Sequence, residues 1–249
     1  MEIRELSIGA EPPRPLALSG AALFLDLDGT LAPIAARPQD VHPDPHRTGL
    51  VERLEAAMKG RLAVISGRAL EDVDRILEGR VPSVAAVHGL VRRDADGQVH
   101  RSAAHPDVAR ASEAFRRLAE TDPGLLVEDK GQSVALHYRL APHRAAEAHG
   151  LAEEIARQTG LMVQAGHMVV ELRTPGPTKS DSVRAFMAAP PFLGAAPIFV
   201  GDDITDEDGF AAVWTLGGFG VLVGPQRRTH ARWRLDDVSE ALAWLEAAL

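Results

Sequence analysis

Two acidic stretches, far apart in the chain, hold the residues best suited to chemistry. The first is the run DLDGTL at Asp26–Leu31, which places Asp26 and Asp28 two residues apart directly after the apolar segment Ala21–Leu25. In extended backbone, residues so spaced project to one side. Like charges held close together repel unless a divalent cation or an arriving substrate offsets them. Such a pair also lets one acid stay ionised while its neighbour moves a proton. Gly29 supplies a tight turn, and Thr30 offers a hydroxyl and a backbone donor. The second stretch is GDDITDED at Gly201–Asp208, again after an apolar run, with five acids in seven positions. Hard oxygen ligands in that density suit magnesium. Asp202 is the candidate for direct coordination, whereas Asp203 and Asp206 are placed to orient ligands and waters, because magnesium keeps several waters of its own.

Two further positions suit a phosphate. Ser66 ends the apolar run Arg61–Ile65 and precedes Gly67 and Arg68, so its hydroxyl and the adjacent helix N-terminal amides can hold a phosphate oxygen. Lys179 is a compact cation able to neutralise an aspartate nucleophile and the phosphoryl group under attack.

These residues need a scaffold that delivers strand ends to one place. Ala21–Leu25, Arg61–Ile65, Ser83–Val87, Pro197–Val200 and Gly220–Val223 read as short buried strands. Between the first two, Leu50, Val51, Leu54, Ala57 and Met58 recur at helical spacing, with Thr48 as the expected N-cap and Gly60 as the stop. Leu70, Val73, Ile76 and Leu77 mark a second helix ending near Gly79. The alternation predicts an α/β fold, a doubly wound, Rossmann-like parallel sheet whose ligands bind beyond the carboxyl ends of the strands.

The middle of the chain has another rhythm. A helix over 106–120 precedes strands at 125–128 and 133–138, the latter alternating Val134, Leu136 and Tyr138 with Ser133, Ala135 and His137. Gly131 and Gln132 make the turn. A second helix over 142–158 leads to strands at 162–164 and 168–172, joined through Gly166. This predicts an α+β unit, 102–174, inserted into a core made of 1–101 and 175–249.

Composition narrows the function. The chain has 249 residues, 45% hydrophobic and 25% charged, with a net charge of −8. That balance speaks against nucleic acid or an anionic membrane as partner, so an anionic substrate must be captured locally. Without cysteine, thiolate nucleophiles and thiolate metal sites are excluded. Met1–Gly20 mixes Glu, Arg and Pro and does not read as a secretory leader, and Pro190, Pro191, Gly194 and Pro197 interrupt the uncharged stretch Ala185–Gly201. A cytoplasmic chain without a membrane span is expected.

The order DLDGTL, Ser66-Gly67-Arg68, a lysine after an insertion, then GDDITDE resembles the haloacid dehalogenase superfamily over Ala21–Val223. Within it, GDDITDEDGF, EDKG at Glu128–Gly131, HYR at His137–Arg139 and VELRT at Val170–Thr174 resemble the trehalose-6-phosphate phosphatase family. The resemblance implies that Asp26 attacks phosphorus and that Asp28 first protonates the sugar leaving oxygen, then activates water. It implies magnesium on the Asp26 carboxylate, the Asp28 backbone carbonyl and Asp202, with Ser66 and Lys179 on the phosphoryl group. The inserted unit is then a lid in which Glu128, Lys130, Glu171 and Arg139 meet sugar hydroxyls, while Arg68, His88 and Gly89 are substrate candidates on the core side. His137 is expected to be structural. Ser180 follows Lys179 where the family commonly has Gly, which predicts a narrower phosphate entrance. A phosphatase for another glycoside phosphate (sucrose phosphate, glucosyl- or mannosyl-glycerate phosphate) and a non-catalytic sugar-phosphate sensor remain as alternatives. A monomer is expected, with any sugar-phosphate synthase on a separate chain.

Overall fold

The computed structural model describes residues 12–249, so most of the N-terminal stretch read as non-secretory lies outside the described residues. The described residues divide into two units: 12–34, 41–100 and 177–249 form the first, and 35–40 with 101–176 the second. The segment Ala35–Asp40 thus goes with the second unit, whereas the sequence boundaries leave it in the core.

In the first unit the strands are β1 Ala21–Leu25, β2 Leu62–Ile65, β3 Ser83–Ala86, β4 Val91–Arg93 and β5 Val99–Arg101, whose last residue begins the second unit, with α1 Pro45–Met58 and α2 Leu70–Ile76 between the first three. The second unit contributes α3 Val108–Ala119, β6 Leu126–Asp129, β7 Ser133–His137, α4 Ala145–Thr159, β8 Met162–Gly166 and β9 Val169–Arg173. The chain then returns through α5 Lys179–Met187, β10 Ala196–Gly201, α6 Glu207–Thr215, β11 Phe219–Val223, β12 Trp233–Leu235 and α7 Val238–Glu246.

The large sheet runs β12-β11-β10-β1-β2-β3-β4-β5. Strands from β12 to β3 pair in parallel, and β4 joins β3 antiparallel. Sequence order leaves β1 in one direction toward β2 and β3, and later returns on the other side through β10 and β11. That reversal beside β1 is a topological switch point, where an open α/β sheet forms its crevice at the carboxyl ends. The interior under the sheet is aromatic: Phe24 stacks on Phe192 with ring centroids 5.6 Å apart, and Phe199 meets Phe210 edge-on.

Two expectations need correction. Thr48 is not the N-cap of α1 but lies buried inside it. Asp44 is the cap, accepting the Arg47 amide, with Pro45 in the first turn, where a missing N–H does no harm. Strands β4, β5 and β12 were not foreseen. Among the described residues no helix is long and apolar enough to cross a membrane.

The second unit is a four-stranded antiparallel sheet ordered β6-β7-β9-β8. Val134, Leu136, Val170 and Leu172 join Phe115 of α3 and Ala148, Ala152 and Ile155 of α4 in its core. Side chains alternate along a strand, so Glu128, Ala135, Glu171 and Gln164, which pair across the sheet, lie in one row on the opposite face. Ala135 keeps that row open between the two acids.

Candidate active site

Asp26 stands one residue past β1, and its N–H donates to the Val200 carbonyl at 2.9 Å. The parallel register Leu25 with Val200 therefore carries Asp202 alongside Asp26. Gly29, at φ 82, is fixed by that approach, since a Cβ there would come within 2.0 Å of the Asp202 carboxylate. Oxygens of Asp26, Asp202 and Asp206 all lie within 4.8 Å of one another.

Lys179 opens α5, whose N-cap Thr178 and Asp181 form a reciprocal capping pair that fixes where the helix begins. The lysine, only 3% exposed, donates to Asp26 Oδ1 at 2.8 Å and to Asp206 Oδ1 at 2.6 Å. Burial alone lowers its pKa, but Asp206 and Asp26 more than reverse this and hold it well above the ordinary range. Burial also pushes the Asp26 carboxyl up to about 8, with Lys179 opposing and Asp206 and Asp28 adding repulsion. Asp202 is pushed up to about 9, by burial first and then by Asp26 and Asp206. One ammonium does not balance three carboxylates.

Asp206 is wholly buried, and its oxygens are fully engaged: Oδ2 accepts the amides of Asp202 and Asp203, each at 3.0 Å, and Oδ1 accepts Lys179. It therefore shapes the loop. The Asp203 carboxylate accepts the amide of Ile204 at 2.6 Å and caps its own turn. Asp202 Oδ1, by contrast, is buried with no hydrogen-bond partner. An orphaned carboxylate oxygen beside Asp26, in a cluster of surplus negative charge, fits a hard divalent cation.

The Asp28 carboxylate does not join this group. Arg68, buried beside it, donates Nε to Oδ2 at 2.6 Å and Nη2 to Oδ1 at 2.7 Å, the two-pronged geometry that fixes a carboxylate most firmly. Ser66 is buried, and its Oγ accepts the Arg68 amide at 3.2 Å. The α2 helix starts only at Leu70, so the expected helix amides are not adjacent to Ser66. His88 donates its amide to the Ser66 carbonyl at 3.0 Å, and its ring covers Gly67, where a Cβ would come within 2.5 Å of the imidazole. Val87 and His88 both lie at positive φ, 48° and 55°, ahead of Gly89. Such backbone costs about 1–3 kcal/mol per residue and persists where the surroundings dictate it.

In the second unit, Lys130 donates to Glu171 Oε2 at 2.7 Å and lies 3.8 Å from Glu128 Oε2. His137 is 2.8 Å from the same Glu128 oxygen. Burial pushes the Glu128 carboxyl up, but Lys130 and His137 more than offset it and hold it below the usual range. Arg139 donates to the carbonyls of Ala35 and His167, tying two loops of this unit together. Sequence reading missed Arg227, Glu207 and His230, which flank the Asp202 loop. Arg227 looks like part of a solvated basic turn, and nothing local marks its partner.

Acids at the carboxyl ends of the two strands around a switch point, a buried lysine between them and an inserted α+β unit are the arrangement expected of a phosphatase of the haloacid dehalogenase type. A superfamily phosphatase from Bacteroides thetaiotaomicron shares the fold, with a TM-score of 0.60 at 16% identity over 96% of this chain and 97% of that one. The trehalose-phosphatase family profile matches residues 24–239, and the chain belongs to that family. It is 41% identical to the trehalose-6-phosphate phosphatase of Escherichia coli, over 90% of this chain and 85% of the relative. It is 38% identical to a probable trehalose-phosphate phosphatase of Sinorhizobium fredii, over 93% and 88% respectively. The C-terminal domain of the Candida albicans trehalose-6-phosphate phosphatase superposes with a TM-score of 0.83 at 23% identity, covering 97% of this chain and all of that one.

Proposed function

We propose that this chain hydrolyses trehalose 6-phosphate to trehalose and inorganic phosphate, with magnesium as the metal. The observation that carries the reading is the buried Lys179 held between Asp26 and Asp206, next to the orphaned Asp202 oxygen. An ammonium so placed lowers the repulsion between an aspartate nucleophile and an incoming phosphoryl dianion.

Asp26 attacks phosphorus, forming an aspartyl phosphate as the bond to the sugar oxygen breaks, and Asp28 gives its proton to that oxygen. Asp28 then takes a proton from the water that attacks the same phosphorus, releasing phosphate and restoring Asp26. Arg68, expected from the sequence to touch substrate, holds Asp28 in position, by both prongs when the carboxylate is ionised and by one when Asp28 carries the proton it transfers. Ser66 and Lys179 bind phosphoryl oxygens, and His88 and Gly89 shape the wall beside Ser66. Magnesium, held by the Asp26 carboxylate, the Asp28 carbonyl and Asp202, supplies positive charge against the phosphoryl oxygens when bound. Asp203 and Asp206 keep its loop in place. Glu128, Lys130 and Glu171 offer the acceptors and donors that a polyhydroxylated sugar needs. Arg139 supports their unit through its loop contacts. The same reading expects a monomer acting in the cytoplasm on the product of a separate sugar-phosphate synthase.

Phosphate release across a panel of sugar phosphates, with magnesium or with EDTA, tests this directly. Trehalose 6-phosphate is expected to lead sucrose, glucosylglycerate and mannosylglycerate phosphates, and EDTA to stop turnover. Asp26→Asn should lower release on the order of 10⁴-fold or more. Release that persists in that variant overturns the mechanism, and a different leading sugar overturns the substrate.

A further inference from the structure

The loop that presents Asp202 is gripped from outside the acid cluster. Its amides turn inward to Asp206. Its carbonyls turn the other way, where Arg227 Nη2 donates to Asp203 O at 2.8 Å and to Asp202 O at 3.3 Å. The other guanidinium nitrogen, Nη1, is paired with Glu207 Oε1. Glu207 Oε2 in turn accepts the His230 amide at 2.7 Å and lies 3.1 Å from His230 Nδ1. All three side chains are largely sheltered, at 27% exposure for Arg227 and 18% for each of the others. A planar guanidinium that bridges two consecutive carbonyls and a carboxylate fixes the peptide planes between them. With amides held on one side and carbonyls on the other, the Asp202 Cα–Cβ bond has one direction left, toward Gly29 and Asp26.

We infer that Arg227, locked by Glu207 and His230, is a positioning residue that sets the affinity of the Asp202 site for its divalent cation. The inference rests on the metal-site reading above. It concerns a residue outside the acid cluster, on the loop between β11 and β12. Without Arg227 the loop carbonyls lose their common partner, and Asp202 must be ordered by the cation itself, which weakens binding. Groups that orient metal ligands typically change affinity by 10- to 100-fold when removed.

Binding of manganese(II) alone to the purified chain, followed by the loss of its free-ion EPR signal, separates the possibilities. The wild type is expected to take up one ion. Arg227→Ala should bind roughly tenfold or more weakly, and its magnesium activation constant should rise in parallel, while turnover at saturating magnesium falls far less. Arg227→Lys should recover only part of the loss, since a compact ammonium lacks the planar fork that spans two carbonyls and a carboxylate. Glu207→Gln preserves shape while weakening the anchor. It should bind more weakly than the wild type but less so than Arg227→Ala, and it decides the matter if the alanine variant does not fold, as judged by its melting curve without metal. Unchanged manganese affinity in folded Arg227→Ala, or in Glu207→Gln where that variant decides, overturns the inference and leaves the metal site intact. A wild type that binds no manganese overturns the metal-site reading, and this inference with it.

Discussion

Lys179 and Lys130 are both sheltered ammoniums flanked by two acids, one in each unit. Around Lys179 the acids outnumber the cation: Asp26, Asp202 and Asp206 face a single ammonium, and burial drives Asp26 and Asp202 toward their protonated forms. Around Lys130 the acids are paired instead: Glu171 and Glu128 share the ammonium, His137 adds a contact to Glu128, and Glu128 is held below its usual range. The same residue types therefore create different demands. An acid surplus calls for further positive charge, as a cation would bring. A cluster whose acids are each paired presents a fixed pattern of acceptors and donors, which suits hydroxyl groups.

Replacing each lysine by methionine puts the contrast at risk. Lys179→Met should lower phosphate release on the order of 10²–10³-fold on every substrate, aryl phosphates included, because charge stabilisation at phosphorus is lost whatever the leaving group. Lys130→Met should leave p-nitrophenyl phosphate turnover nearly intact and raise KM for trehalose 6-phosphate. Losing a charged hydrogen bond of about 1.5–3 kcal/mol corresponds to roughly a ten- to hundredfold change. Steady-state kinetics on both substrates checks the pair, and equal losses at the two lysines would erase the distinction.

The smallest effect is one of pH. Carboxyls whose folded pKa lies above the unfolded value stabilise the fold below the unfolded pKa near 4, and that contribution disappears as pH rises through the folded pKa. For Asp26 and Asp202 those folded values are about 8 and about 9. Metal-free protein should thus lose melting temperature between pH 6 and 9, whereas magnesium, which displaces these protons, should widen its stabilising effect over the same range. Thermal melts in EDTA and in magnesium measure the gap; a gap that stays constant or narrows counts against an acid surplus at this site.

The acid cluster was legible in the sequence because a buried parallel strand ends abruptly in polar residues, and both Asp26 and Asp202 stand at such an edge. The alternation in Ser133–His137 likewise gave the two faces of β7. Three-residue strands such as β4, Val-Arg-Arg, have no periodicity to detect. The α1 cap was misread because Thr48 is as good a capping residue as Asp44, and only Pro45 breaks the tie. Partner choice was least accessible. Spacing brings Arg68 near Ser66 but does not say that its guanidinium grips Asp28, and Arg227, on the loop after β11, finds Glu207 at the start of α6.

The pairing of β1 with β10 joins Ala21 to Ala196, so the edge that carries Asp26 acquires its neighbour only after about three quarters of these residues have been made. Every strand contact of the second unit, from β6 to β9, closes within a far shorter loop, and short loops close first. A ribosome-bound chain halted before β10 would therefore be expected to hold a formed second-unit sheet while Asp26 still lacks Asp202 and Asp206 beside it, which leaves assembly of the acid cluster to a late stage of biogenesis.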